Sequence, residues 1–244
     1  EDYMREAGLP YTPHEGYAPV NEGLAKRLAD FYDQAESAPD DPEVQSAYRS
    51  LADETMAQYR AMEAAGIEIE PWEKEGQPYA NSAEMLKDVR DNKHLWFFTT
   101  ESGFGKGEAA PNIMLEDSGV VVNGKPLVIN DVFRAVHDYF GHAKEGYEFG
   151  PRGEFNAYLA HSRMFSDAAK PALASDTLAQ NSWVNFGPHL RREDGSLPKS
   201  GEKGFVPVND RPFSDQKNLV IPDELLAEAD RVAGQFMPSE RAGK

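Results

Sequence analysis

The chain has 244 residues, a formal net charge of −17 and no cysteine. Without cysteine there are no disulfides, thiolate zinc fingers, iron–sulfur clusters or thiol nucleophile, so any metal must use imidazole, carboxylate, amide or water ligands. The acidity disfavours non-specific binding to nucleic acid or to an anionic membrane, and no apolar run approaches the ~20 residues of a membrane span.

Residues 1–22 are rich in Pro, Gly, Tyr and acids. They are expected to form an extended arm lying on the body through its tyrosines, or to be disordered. Asn21 or Glu22 starts a helix to about Ala35, with Leu24, Leu28 and Phe31 on one stripe. A long helix follows from Pro42 to about Ala65, capped by Asp41 and stopped by Gly66. Val44, Tyr48, Leu51, Thr55, Tyr59 and Met62 recur along it at helical spacing. Ile67 to Glu70 alternates like a short strand, Ser82 caps a helix to about Asn92, and Leu95 to Thr100 reads as an aromatic strand.

The glycine-rich stretch Glu101 to Glu108 lacks phosphate-loop spacing and reads as a mobile loop near the active site. Val120 to Ile129 is a hairpin turning at Asn123-Gly124. Beyond the helices described next, Leu190 to Arg211 is a long polar loop, either a lid over the site or a plain surface excursion. Asp210, Arg211, Asp215 and Lys217 read as surface ion pairs. Pro222 to Phe236 is a last amphipathic helix, with Leu225, Leu226, Ala229, Val232, Ala233 and Phe236 inward, before a frayed end at 237–244. The expected fold is mainly α with a small β element (α+β): the arm, 1–22, and a single globular domain, 23–236.

Four of the six histidines fall between residues 137 and 189. Asn130 is the expected N-cap of a helix whose core face is Val132, Phe133, Val136, Tyr139, Phe140 and Ala143. Arg134, His137, Asp138, Gly141, His142 and Glu145 take the other face. His137 and His142 flank Gly141, which leaves room for an ion reached by a histidine from each side. Asp138, four residues before His142, is placed to orient that ring or to bind metal itself.

The next helix, Gly153 to about Ala169, sets Glu154, Tyr158 and His161 on one mostly apolar face. A buried charge is costly unless paired or bound to metal. The pair is either a structural Glu–His hydrogen bond or an addition to the two histidines around one ion. A third helix opens at Pro171 and ends at Gly187-Pro188. Its Asn181, Trp183 and Asn185 suit a polar ligand, or in the plainer reading make hydrogen bonds at the helix end. The candidate metal ligands are His137, His142 and Glu154. The candidate catalytic residues are Asp138, His161 (fourth ligand or base) and Asn185. The candidate substrate contacts are Asn181, Trp183, Arg134 and Tyr158.

His137-Asp-Tyr-Phe-Gly-His142 resembles the iron-binding His-Glu-x-x-Gly-His segment of the pterin-dependent aromatic amino acid hydroxylases. Trp183-Val-Asn-Phe-Gly187 is similar to the later segment in which that family carries its glutamate ligand. The resemblance covers about 55 residues and implies non-haem iron on His137 and His142. It departs at Asn185, which stands where the glutamate would be, so another carboxylate is needed and Glu154 is the candidate. The stretch from Tyr48 to Pro222 also resembles an uncharacterised family of phages and mobile elements. Asp88-Val-Arg-Asp-Asn92, Asn130 to Asp138, Gln180 to His189 and Ser214 to Lys217 carry that likeness. It implies a bacterial cytoplasm or a virion as location, and no particular activity.

These features point to a metal-dependent enzyme, most concretely a non-haem iron oxygenase or hydroxylase acting on a small or nucleotide-like substrate. Fe(II) is the favoured ion, with Zn or Mn as alternatives. A zinc- or manganese-dependent hydrolase with Asp138 or Glu154 as general base would use the same ligands. A third reading is a non-enzymatic phage or mobile-element protein, which fits the acidity, the tyrosine-rich arm and a start at Glu1 taken as trimming. The expected partners are a small-molecule substrate, with no nucleic acid and no membrane, and a homo-oligomer or virion association is left open.

Overall fold

The longest helix is set by its ends. Asp41 accepts hydrogen bonds from the backbone N–H of Glu43 at 2.8 Å and of Val44 at 3.3 Å, and Pro42 occupies the first turn. Gly66, at φ +75°, takes the left-handed conformation that ends it. The computed structural model describes residues 1–10, 16–100 and 112–235. The glycine-rich stretch 101–108, part of the arm (11–15), Phe236 and the end 237–244 lie outside the described residues.

The first elements are α1 (Asp2–Glu6), α2 (Glu22–Gln34), α3 (Pro42–Ala64), β1 (Glu68–Trp72), α4 (Ser82–Asn92) and β2 (His94–Phe98). Then come β3 (Asp117–Val122), β4 (Lys125–Val128) and α5 (Ile129–His137), which runs into a π-helical turn, Asp138–Ala143. Next are α6 (Pro151–His161), α7 (Lys170–Ala174), a second π-helical turn (Ser175–Ala179), α8 (Gln180–Phe186) and α9 (Asp223–Gln235). The fold is mainly α with two small two-stranded sheets.

β1 and β2 pair in parallel, Ile69 beside Leu95 and Pro71 beside Phe97, with α4 as the crossover. β3 and β4 form the antiparallel hairpin, and both turn residues, Asn123 at φ +53° and Gly124 at φ +81°, have the positive φ such a turn requires. The larger core cluster joins α2, α3, α6, α7 and α9. The smaller one packs the β1–β2 pair and α4 against α5. Phe140, in the first π turn, touches both.

Several local expectations are corrected. Residues 2–6 of the arm are helical, with Met4 buried. The described end of the arm, from residue 16, does lie on the body, through Tyr17: Asn156 takes both backbone groups of Ala18, at 2.7 and 3.0 Å, and Arg152 stacks on the Tyr17 ring at 3.9 Å. Asn81 rather than Ser82 caps α4, accepting from Glu84 N–H at 3.0 Å.

The helix drawn from Gly153 to Ala169 stops at His161, then a 3-10 turn, because Glu54 on α3 captures Ser166. Glu54 accepts from the Ser166 backbone N–H at 2.8 Å and from its hydroxyl at 2.5 Å. Among the described residues Arg211 and Lys217 form no surface ion pair. Lys217 Nζ donates to the carbonyls of Tyr32 and Ala35 at 2.6 and 2.8 Å, closing the end of α2.

Candidate metal centre

α5 starts one residue before the expected cap. Asp131 ties the turn, accepting from Val128 N–H at 3.1 Å and from Thr100 N–H at 2.7 Å, while Asn130 donates to the Thr100 hydroxyl at 3.0 Å. In a regular helix His137 and His142 would point roughly 140° apart, five residues at about 100° each. The π turn that follows His137 removes the divergence, because i→i+5 bonding brings residues five apart onto one side. Lys144 N–H donates to the Tyr139 carbonyl at 2.8 Å in this pattern. The two imidazole centroids are then 5.2 Å apart.

Gly141 is needed for a different reason from the one its position implies. A Cβ there would lie 3.1 Å from His137 Cε1 and 3.2 Å from the Ala157 Cβ. The glycine makes room for the His137 ring and for α6. At the other end of the site, a Cβ on Gly153 would overlap the Glu148 carbonyl oxygen, at 1.7 Å. Only glycine lets α6 begin this close to residue 148, and this places Glu154 in its first turn opposite the histidines.

Glu154 Oε2 is 3.3 Å from His142 Nε2 and 3.8 Å from His137 Nε2. The donor atoms of the three residues all lie within 4.8 Å of one another. Donors sharing one ion at bond lengths near 2.1 Å are about 3.0–3.4 Å apart, so a shift of side chains alone brings the set onto an ion.

The hydrogen bonds behind the rings fix which nitrogens carry protons. His142 Nδ1 faces the Tyr147 carbonyl at 3.1 Å, which can only accept. Nδ1 is therefore the protonated nitrogen of the neutral ring, and the Nε2 lone pair faces Glu154. The His137 tautomer is set through two further residues, Gln58 and His161. Gln58 Nε2 donates to the Met164 carbonyl at 3.1 Å, which turns Gln58 Oε1 toward His161 Nε2 at 2.8 Å. His161 then donates from Nε2 and accepts at Nδ1, where His137 Nδ1 lies at 3.1 Å. His137 donates this bond and keeps its own Nε2 lone pair toward Glu154. Acceptors that hold the far nitrogen of a ring in this way orient histidine ligands and raise their basicity.

The charges agree with this layout. Burial opposes the charge on Glu154, yet the facing His142 and His137 hold its carboxyl far below the ordinary carboxylate range. Burial likewise opposes charging His142, but Glu154, with Asp138 and the Tyr147 carbonyl, pushes it up to about 9. Burial drives His161 well below its ordinary value, and the neighbouring His137 and His142 add to the effect. Burial raises Asp138 above the carboxylate range, with His142 and His137 opposing and Glu154 assisting. A proton between His142 Nε2 and Glu154 and a metal ion compete for the same place.

The other expected site residues separate. Asp138 and Arg134 line a cavity of about 290 Å³ that opens from the triad, and Asn181 lines it from α8. His161, fully buried, stands behind His137 and is no ligand in this arrangement. Asn185 does not face the triad: it donates to the Asn181 carbonyl at 2.9 Å and side chain at 2.6 Å, and accepts from Arg211 at 2.5 Å. Trp183 points to the opposite face of α8, donating to Asp33 at 2.9 Å and stacking on His189 at 4.2 Å. Tyr158 is a core residue, 1% exposed, on the side of Asp230.

Residue-by-residue reading missed Gln58, Tyr147, Asp176, Ser214 and Gln216. Gln58 had a usable signal, a polar side chain inside the apolar stripe of α3. No family model matches the chain, no curated protein matches it, and no solved structure matches it.

Proposed function

We propose that the chain is a metal-dependent enzyme, most concretely a mononuclear non-haem iron oxygenase or hydroxylase. One observation carries the reading. Both histidines have their Nδ1 protons committed, to Tyr147 and to His161, and both turn an Nε2 toward the same carboxylate. Two imidazoles and one carboxylate with open positions form the donor set of non-haem Fe(II) oxygenases. Iron held there would supply dioxygen activation. The residues of the chain would hold and orient the ion, keep His137 in one tautomer, and present the adjoining cavity to a substrate. The likeness of His137 to His142 to the hydroxylase iron segment supports this, with Glu154 in place of the downstream glutamate.

A zinc- or manganese-dependent hydrolase would use the same donors, and Asp138 beside the triad favours it as the second reading. A purely structural phage or mobile-element protein would tolerate histidines pointing apart into solvent. His142 at 1% exposed, facing His137 and Glu154, argues against it. Among the described residues no helix is long and apolar enough to cross a membrane. A bacterial cytoplasm or virion remains the proposed location.

Anaerobic loading with Fe(II), Mn(II) or Zn(II), followed by air in an oxygen electrode, separates the enzyme readings. The iron reading predicts oxygen uptake by the iron protein alone, lost in His137→Ala. No uptake by an iron-loaded protein, with ester hydrolysis by the zinc form, would overturn it.

A further inference from the structure

The cavity that opens from the triad is walled by α5, the second π turn, α8 and the segment 213–216. Most of its polar groups are already engaged. The Asp176 carboxylate accepts from the Tyr48 hydroxyl at 2.5 Å and from Gln216 Nε2 at 2.7 Å. Gln216 Oε1 accepts from Gln180 at 3.3 Å, and the Thr177 hydroxyl donates to the Leu173 carbonyl at 2.6 Å.

Four groups are left over: the Asp138 carboxyl, which makes no hydrogen bond among the described residues, and three that can donate. The Arg134 guanidinium, one turn before His137, makes no hydrogen bond or ion pair among the described residues. Ser214 Oγ is buried, its residue 6% exposed, and lies beside the Tyr32 hydroxyl without a well-formed hydrogen bond among the described residues. The Tyr32 hydroxyl near it donates instead to the Asp215 carbonyl, at 2.8 Å. Asn181 commits its side-chain oxygen to Asn185, which leaves its amide nitrogen without a partner among the described residues. A buried polar group left unmatched is costly, and Ser214, with the half-buried Arg134 and Asn181 open to the same cavity, marks what the cavity is built to receive.

A planar guanidinium that no carboxylate grips, though Asp138 and Asp131 lie near enough to act on its charge, matches an oxyanion. Glu154 is held charged beside this cavity, with Asp138 and Asp176 as further acceptors in its wall, and that negative charge repels a dianion more than a monoanion. The anion is therefore a carboxylate rather than a phosphate. Away from Arg134 the free partners are a hydroxyl and an amide, with Asp176 as an acceptor, so the body of the ligand carries hydroxyl groups. We propose that this cavity binds a small hydroxylated monocarboxylic acid, its carboxylate on Arg134 and its hydroxyls on Ser214, Asn181 and Asp176. Such an acid would be the substrate presented to the triad, so the proposal rests on the metal-enzyme reading and names its substrate class.

Calorimetric titration tests it, with protein stripped of metal by EDTA and with protein loaded anaerobically with Fe(II). The probes are glycerate and gluconate, which carry charge and hydroxyls, hexanoate, which carries charge alone, and glucose, which carries hydroxyls alone. Glycerate or gluconate should bind about tenfold or more tighter than hexanoate and glucose. Arg134→Gln should weaken that binding about tenfold or more with iron content unchanged, and Ser214→Ala should weaken it several-fold. Arg134→Lys, which keeps the charge, should retain part of the affinity and serves if the glutamine variant fails to fold. Hexanoate or glucose binding as well as the hydroxy acids, an unchanged affinity in Arg134→Gln, or no hydroxy-acid binding to either form would overturn the proposal. Hydroxy-acid binding through Arg134 in a protein that takes up no iron would sink the metal reading alone. Iron uptake without hydroxy-acid binding would sink the cavity assignment alone.

Discussion

His137 and His161 meet nitrogen to nitrogen, Nδ1 to Nδ1 at 3.1 Å, with room for one proton between them. Gln58 decides which ring owns it, since its oxygen claims the proton on the far nitrogen of His161. His161→Phe keeps an aromatic ring and removes the acceptor. It should lower metal affinity by about tenfold to a hundredfold. Gln58→Leu should act in the same direction, with an added stability loss of about 1–3 kcal/mol from the unmatched Met164 carbonyl. Competition against a chelating dye measures the first effect and urea unfolding the second. Affinity unchanged in both variants would remove His161 from the site.

The proton on His142 gives the centre a pH dependence of definite sign. Glu154 overcomes the opposing pull of burial and holds His142 at about 9, so the metal-free ring is protonated at neutral pH. An ion must displace that proton. Apparent affinity should rise about tenfold per pH unit from 7 up to 9 and then level off. At pH 7.5 about one proton should be released per ion, read from calorimetric enthalpies in buffers of different ionisation heat. Affinity flat between pH 7 and 9 would mean that His142 is not a ligand.

Gly141→Ala places a methyl group 3.1 Å from the His137 ring and 3.2 Å from Ala157. The ring, rather than the helix backbone, is the part that can give way. The expected result is a stability loss of about 1–3 kcal/mol together with weaker metal binding. A loss of stability with metal affinity intact would show that the His137 ring does not depend on this gap.

Asp176 makes a separate prediction about stability. Burial raises its carboxyl to about 7, against the hydrogen bonds from Tyr48 and Gln216. The folded state therefore binds this proton more tightly than the unfolded chain. The stabilising contribution is complete below about pH 4 and is lost as pH rises through 7, on the order of 4 kcal/mol at most. Asp176→Asn should remove that slope. Unfolding free energy of wild type minus variant should fall between pH 4 and pH 8, and a constant difference would contradict the assignment.

What could be read ahead of the structure was what depends on near neighbours in the chain. Asp41 and Pro42 start α3, and Asn123-Gly124 turns the hairpin, because caps and tight turns are local chemistry. His137, His142 and Glu154 were legible as a set because a carboxylate on an apolar helix face needs a partner. A regular helix with a gap at Gly141 is what the residues suggest for their convergence, whereas a π turn produces it. Nothing in the residues 138–143 alone announces that turn. The place of His161 was hidden for a different reason: its partner Gln58 is 103 residues earlier. The end of α6 was overdrawn because Glu54, on another helix, takes the Ser166 backbone. Of the two readings of Asn185 and Trp183, hydrogen bonds at the helix end hold, because residues on other segments, Arg211 and Asp33, satisfy them, and no local signal chose between the two.

The central claim is that His137, His142 and Glu154 hold one ion. Its most direct test is the metal content of protein purified anaerobically from iron-replete cells, by mass spectrometry, beside His137→Ala/His142→Ala and Glu154→Ala. The account predicts about one iron per chain in the wild type and almost none in the variants. It also predicts a lower melting temperature for the double variant in the presence of Fe(II), since an ion that binds only the folded state stabilises it. A wild type without bound metal, and a double variant that melts at the same temperature, would contradict it.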